Sequence, residues 1–456
     1  MNPRRVLLPV LVLALLFALA KTSCAAPPRA ALQSQQTSSP SSPSTSKAGE
    51  TSQPSSAPKI TKYTLPPDRY QKARNINRIR FWGIIGTFVY GLVVLWLVLR
   101  WKLAAKYRTL AENFSPKRFL QALVFSPLVI FTIDILGLPP GVFRNWVLRR
   151  YGISIQGWDS WFWDWTKGEL VSVIIATILI WILYAVIRKS PRRWWFYFWL
   201  ASLPIGLFLY FLQPLIIDPL FFKFEPLAQK EPVLTRSLER MVQRTGENIP
   251  PERMFWMGAG EKLTALNAYV TGFGASKRMV VWDTTIKDMN VPQIVFVAGH
   301  EMGHYVLGHT PKLLGFGAAL LFAFFYVSFR SIGWVLSRWG PLWDVHGIDD
   351  WASLPALMLI LSVLFFVANP VSNAFSRHYE HQADQYGLEV THGLTPDAPQ
   401  VAAQAFQILG EVDFGDPEPN PVDVFMFYDH PPDPDRMQFA LTYDPWSKGG
   451  TGEFVK

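Results

Sequence analysis

The 456-residue chain is half hydrophobic but only 17% charged, with 19 Trp, 33 Phe and a mean hydropathy of +0.16; soluble domains carry roughly 25% charged residues, so neither three soluble domains nor a wholly disordered chain fits. Its single cysteine, Cys24, excludes an internal disulfide, a Cys-based zinc site and an iron–sulfur cluster, leaving any metal to His and carboxylates. The net charge of +9 comes from Lys and Arg that flank apolar runs, as Arg100 and Lys102 do, which is the habit of a membrane protein and not of a nucleic-acid binder.

Residues 1–26 read as a signal peptide or N-terminal membrane segment. Arg4-Arg5 precede an apolar stretch from Val6 to Ala20, and Ala18-Leu19-Ala20 offers a cleavage site. Residues 27–58 form a disordered spacer, because 19 of these 32 residues are Ser, Thr or Pro and little is left to bury. An N-terminal membrane domain follows over 59–217, with four spans at 81–99, 119–138, 170–187 and 194–217, each at or near the ~20 residues that cross a bilayer. The second span carries Asp134, and an acid inside a span is a functional hypothesis by default. Between the second and third spans, Trp158 to Trp165 interleaves aromatics with acids, as a headgroup-level anchor would.

Residues 218–312 are a polar domain with an amphipathic helix over Pro232–Arg244. Short strands are predicted at Met254–Met257, Leu266–Thr271 and Arg278–Trp282, with a hairpin turn at Gly272–Ser276. Two further spans are predicted at 313–329 and 352–368, each at the lower length limit. Residues 369–456 form a second polar part.

The chemistry sits in Val291–Thr310. Asn290 can cap a helix there and Pro292 suits its first turn. Within it, His300-Glu301-Met302-Gly303-His304 places two imidazoles one turn apart on one side of a helix, where both can bind one Zn²⁺. Glu301 flanks the same point and can take a proton from a water that the metal activates. With 8 His in 456 residues, a chance match to this pattern is expected about 0.005 times.

The third ligand must come from elsewhere. Asn373–Gly387 is a helical stretch bearing Arg377, Glu380 and Asp384. Glu380 is the preferred ligand, since two His and one Glu leave a fourth position open as a catalytic zinc requires. His378 and His381 beside it are alternatives. Asp384, one turn on, can accept the second ring N–H of a ligating His. His309 falls one position short of the spacing at which a third His ligand follows such a motif, and is expected outside the site.

These features together resemble the type I CAAX prenyl endopeptidase family of integral-membrane zinc metalloproteases. The resemblance covers most of the chain from about Tyr63. It rests on the run from His300 to His309 and on the pattern Asn373, Arg377, Glu380, Ala383, Asp384. Asn267-Ala268-Tyr269, Leu138-Pro139, Pro219 to Leu227, and His430-Pro431-Pro432 with Arg436 complete it. The resemblance implies one Zn²⁺ per chain on His300, His304 and Glu380, with Glu301 as base and Asp384, Arg377 and Asn373 as supporting residues. It further implies that Asn267, Ala268 and Tyr269 line the cleft and pair with an extended substrate, that His430 stabilises the oxyanion and that Arg436 braces and binds in the same region. A large chamber within the membrane is also implied.

The chain departs from the family at its start, where a signal-like segment and spacer replace a true first membrane helix. The resemblance suggests action on the cytosolic side. Here the positive-inside count is a tie, ten Lys and Arg against eleven. Arg4-Arg5 ahead of the first apolar stretch favours export of the spacer and, by counting spans, an extracytoplasmic catalytic side in a bacterial inner membrane. The expected fold is mainly α: a polytopic α-helical membrane protein with a zincin-type (gluzincin) catalytic domain, 218–312 completed by 369–456, carrying a small β-sheet or hairpin. The expected partners are a peptide or protein substrate, lipid-modified or membrane-bound, and membrane lipid, with no nucleic acid. The competing readings are a quality-control protease acting on non-prenylated membrane proteins and an inactive binding protein that kept the fold.

Overall fold

The structure is a computed structural model that describes residues 59–456 apart from Phe273; the expected signal segment and spacer lie outside the described residues. Helix α1 (Pro67–Arg100) starts on Pro67 at its first position, where the missing N–H costs nothing. After it come α2 (Leu103–Phe114), α3 (Arg118–Arg150), α4 (Trp158–Lys189) and α5 (Trp194–Leu212). Helix α3 runs through Pro139 and Pro140, past the point where the sequence suggests a stop. In a bundle the neighbouring helices re-satisfy the carbonyls that proline leaves free. At Gln213–Ile217, around Pro214, α5 widens into a π turn.

The polar block opens with β1 (Lys223–Pro226), a strand not predicted, and the amphipathic α6 (Pro232–Arg244), which buries Leu234, Leu238, Met241 and Val242. Strands β2 (Met254–Gly258), β3 (Ala268–Thr271) and β4 (Arg278–Trp282) follow. They form a four-stranded mixed sheet in the order β1-β2-β4-β3, with β2 and β4 parallel and the outer pairs antiparallel. Helix α7 (Val291–Val306) begins on a capping box in which Asn290 and Gln293 satisfy each other's backbone N–H.

Two long helices then return through the apolar layer, α8 (His309–Trp343) and α9 (Leu354–Thr391). The predicted spans of about 17 residues are only parts of helices of 35 and 38 residues. Helix α9 does not end where its apolar run ends at Ala368. It continues through Pro370, and its polar residues Asn373, Glu380 and Asp384 are buried against other protein elements. Helices α10 (Ala398–Asp413), α11 (Pro421–Phe427) and α12 (Asp433–Thr442) close the chain.

Among the described residues, six helices are long and apolar enough to cross a membrane: α1, α3, α4, the segment Trp194–Leu220, α8 and the segment Trp351–Thr391. The core accordingly has two main parts. One packs Phe125, Ile180, Tyr184 and Trp194 with Leu321, Phe325 and Trp351 between the long helices. The other packs α6, α7 and α10 against β2, β3 and β4 through Leu238, Met254, Phe296, Tyr386 and Phe406. Helix α9 belongs to both, and so carries polar residues from the apolar layer into the polar block.

Candidate metal centre

Helices α7 and α9 touch through glycines. A Cβ on Gly387 would stand 3.1 Å from the His300 backbone nitrogen, and one on Gly303 would stand 2.9 Å from Tyr386 Cβ. This close approach lets a short carboxylate on α9 reach imidazoles on α7. His300 Nε2 lies 3.2 Å from His304 Nε2. Glu380 Oε2 lies 3.3 Å from His300 Nε2, and Glu380 Oε1 lies 3.6 Å from His304 Nε2. Glu380 is 1% exposed.

Ligand atoms of His300, His304 and Glu380 all lie within 4.8 Å of one another. Two neutral nitrogens and one carboxylate around a common point, with a cavity on the remaining side, fit a catalytic zinc. Glu301 is half-buried and lines that cavity. His381 is exposed, against Phe439, and neither it nor His378 belongs to the convergent set.

Behind the ligands the supporting contacts differ. His300 Nδ1 lies 2.7 Å from Asp384 Oδ1. Asp384 is in turn held by Arg436, whose Nε and Nη2 donate at 2.8 and 2.6 Å. Burial opposes the Arg436 charge, but the Asp384 carboxylate overrides it and holds the guanidinium above its ordinary pKa. Arg436 therefore braces the site through Asp384.

His430 reaches the centre from the loop after α11, its Nε2 3.2 Å from Glu380 Oε2 and its Nδ1 2.9 Å from Asp429 Oδ1. Burial works against the Asp429 charge, yet attraction and hydrogen bonding from His430 keep its carboxyl below the usual range. Asn373 and Arg377, grouped by the sequence reading with the ligand supports, hold this segment instead. Asn373 and its neighbour Asn369 donate to the Met426 carbonyl at 2.8 and 2.6 Å. Arg377 donates to the carbonyls of Val424 and Tyr428 at 2.9 and 2.5 Å.

Strand β3 is an outer strand of the sheet and borders the cavity. Trp282 N donates to the Asn267 carbonyl. By alternation Tyr269 and Thr271 spend their backbone groups on β4, and Asn267 its carbonyl, while Ala268 and Val270 turn theirs to the open side. The Asn267 N–H goes to Thr285 Oγ1 at 2.6 Å. The Tyr269 side chain is buried and packs with Met257 and Trp282 beneath the sheet.

The cavity measures about 2130 Å³, well beyond the ~300–1,000 Å³ of an ordinary small-molecule pocket. It runs from His300, Glu301, Glu380 and His430 down between the long helices to Phe88, Leu207 and Phe365, and Asp134 lines it as well.

His309, expected outside the site, does not belong to the convergent set but touches it, and neither Asp429 nor Gln382 was singled out from the sequence. His309 is fully buried and its Nδ1 lies 3.0 Å from His304 Nδ1. Along one continuous helix a residue five positions on would face away from His304. Gly308, in the left-handed region at φ +64°, breaks the helix and turns His309 back. Glycine between two histidines is the signal that spacing arithmetic along a single helix overlooks.

Comparison with known proteins agrees with this architecture. Residues 228–444 match peptidase family M48, and residues 50–223 match the CAAX prenyl protease N-terminal region of five membrane helices. An uncharacterized metalloprotease of Bacillus subtilis (strain 168), YhfN, is 37% identical over 340 residues, covering 74% of this chain and 76% of that protein. A CAAX prenyl protease 1 homolog of Oryza sativa subsp. japonica is 27% identical over 357 residues, covering 77% and 80%. The crystal structure of S. mikatae Ste24p shares the fold, with a TM-score of 0.69 and 21% identity over 83% of this chain and 89% of that one. Family match and fold agree that this integral membrane protein belongs to peptidase family M48, among the CAAX prenyl protease 1-like metalloproteases.

Proposed function

We propose that the chain is a zinc endopeptidase that cleaves an extended, membrane-associated peptide at the mouth of its cavity. The observation that carries this is the convergence of His300, His304 and Glu380 beside Glu301. Bound there, zinc supplies a Lewis acid that polarises a carbonyl and brings a water's pKa toward ~7. Glu301 takes the proton from the attacking water and delivers it to the leaving amine. The open side of β3 aligns the substrate by adding it as a further strand, with Ala268 and Val270 offering the pairing groups. His430, steadied by Asp429, donates to the oxygen on which charge develops. The apolar walls around Phe88, Leu207 and Phe365 suit a lipid-modified or otherwise apolar part of the substrate, in keeping with relatives named CAAX prenyl protease 1.

The decisive variant is Glu301→Gln. It keeps both His ligands and Glu380, so the purified protein is expected to retain one zinc and to lose at least ~100-fold in peptide hydrolysis, the lower end of general-base effects. Undiminished cleavage by the zinc-loaded variant would sink the mechanism. Paired prenylated and unprenylated peptides then test the substrate class: a lower KM for the prenylated member supports it, and equal values reject it.

A further inference from the structure

We propose that His309 is a positioning residue for the metal site, holding His304 in the one tautomer that turns a lone pair on Nε2 toward His300 and Glu380. This rests on the metal reading above and adds a residue to it. The geometry is a chain of three groups. His304 Nε2 faces the ligand set, 3.2 Å from His300 Nε2. On the other side of the ring, His304 Nδ1 lies 3.0 Å from His309 Nδ1, and His309 Nε2 lies 3.0 Å from Gln382 Oε1.

Gln382 Oε1 can only accept, so His309 must carry its proton on Nε2. A neutral His309 then has a bare Nδ1, which can only accept, and His304 must place its own proton on Nδ1. This arrangement satisfies both His309 contacts and leaves His304 Nε2 free of a proton. With His300 donating from Nδ1 to Asp384, His300 Nε2 is bare as well, and a cation held between the two facing lone pairs, 3.2 Å apart, completes the set. A metal-ligating imidazole requires that tautomer and gains basicity from a partner on its other nitrogen.

The ring of His309 is itself fixed. It is fully buried, and Tyr379 stacks on it with centroids 4.6 Å apart and planes 27° from parallel. Tyr379 and Gln382 flank Glu380 on α9, while the Gly308 turn supplies His309 from the start of α8. Helix α9 thus provides one ligand and both groups that set the orientation of another. Asp384 does the corresponding work for His300, and with a charge; His309 does it for His304 without one.

The test uses the full-length protein in detergent, with zinc affinity read by competition against a fluorescent chelator and folding read by thermal unfolding of the metal-free protein. His309→Leu fills the pocket but removes the acceptor, and zinc affinity is expected to fall ~10–100-fold. His309→Asn puts Oδ1 where Nδ1 stood, and most of the affinity is expected to return. Gln382→Met leaves His309 in place but frees its proton to move, and a several-fold loss is expected. Zinc binding by His309→Leu as tight as that of the unaltered chain overturns the inference, as does His309→Asn binding no better than His309→Leu. Should His309→Leu fail to fold, Gln382→Met decides alone, and unchanged affinity there overturns it. An unaltered chain that binds no zinc brings down the metal reading and this inference with it; tight binding by the unaltered chain and by His309→Leu brings down this inference only.

Discussion

Behind His300 stand two opposite charges; behind His304 stand two neutral groups. The Asp384–Arg436 pair is deeply buried, Asp384 at 1% exposure, and the guanidinium also lies over the Phe406 ring at 4.5 Å. His309 and Gln382 form a hydrogen-bonded chain with no carboxylate or guanidinium in it. Both arrangements orient an imidazole, but they fail differently when broken. Removing one member of a buried ion pair leaves an uncompensated charge. Removing one member of a neutral chain leaves an unsatisfied polar group, which costs less. On the proposed metal reading, breaking the His300 side is therefore expected to cost both metal binding and folding, and breaking the His304 side chiefly the metal.

The largest effect that sharpens this contrast belongs to Arg436. Arg436→Met preserves packing against Phe406 and strands the Asp384 carboxylate, so the metal-free protein is expected to lose about 3–5 kcal/mol. A steep fall in thermal midpoint is the readout. Adding Asp384→Leu to that variant removes the stranded charge, and stability is expected to recover while zinc affinity stays ~10–100-fold weak. An unchanged midpoint in Arg436→Met would erase the distinction between the two sides. Gly387→Ala acts on both at once. Its Cβ would meet the His300 backbone at 3.1 Å, and a helix backbone cannot step aside as a side chain can. The expected cost is about 1–3 kcal/mol, together with weaker zinc binding, read by the same two measurements.

What the sequence made legible follows a physical pattern. His300, Glu301 and His304 could be read because both ligands lie within one turn of one helix, where spacing alone sets geometry. Glu380 could be chosen for its chemistry, but its separation from His378 and His381 needed the glycine contact between α7 and α9. Helix α6 and the membrane helices were visible through periodicity and apolar length. Strand β1 was not, because Lys223–Pro226 is four residues long and ends in proline. The continuity of α9 was hidden as well: the span ending at Ala368 and the helical stretch from Asn373 read as separate elements, and the structure joins them through Pro370 into one helix whose polar part is buried against other protein elements. Asp429 and His309 depend on a loop held from α9 and a turn at Gly308, neither of which a local pattern reveals.

The smallest predicted effect tests where the ligand supports end. Asn373 and Arg377 lie on the same face of α9 as Glu380 and Asp384, which is why the sequence groups all four. Their contacts run to the carbonyls of 424–428, the segment that carries Asp429 and His430 to the centre. Asn373→Ala removes one of two amide donors from the Met426 carbonyl and leaves Asn369 in place. The stability cost is then about 0.5–1.5 kcal/mol. Zinc affinity is expected to stay unchanged while kcat falls up to ~10-fold, because His430 drifts and the ligands do not. Loss of zinc affinity on the scale of the Asp384 variants would instead return Asn373 to the supports of the metal. A fall in kcat alone assigns it to the arm that delivers His430, and α9 then serves the ligands and the oxyanion group from successive turns of one face.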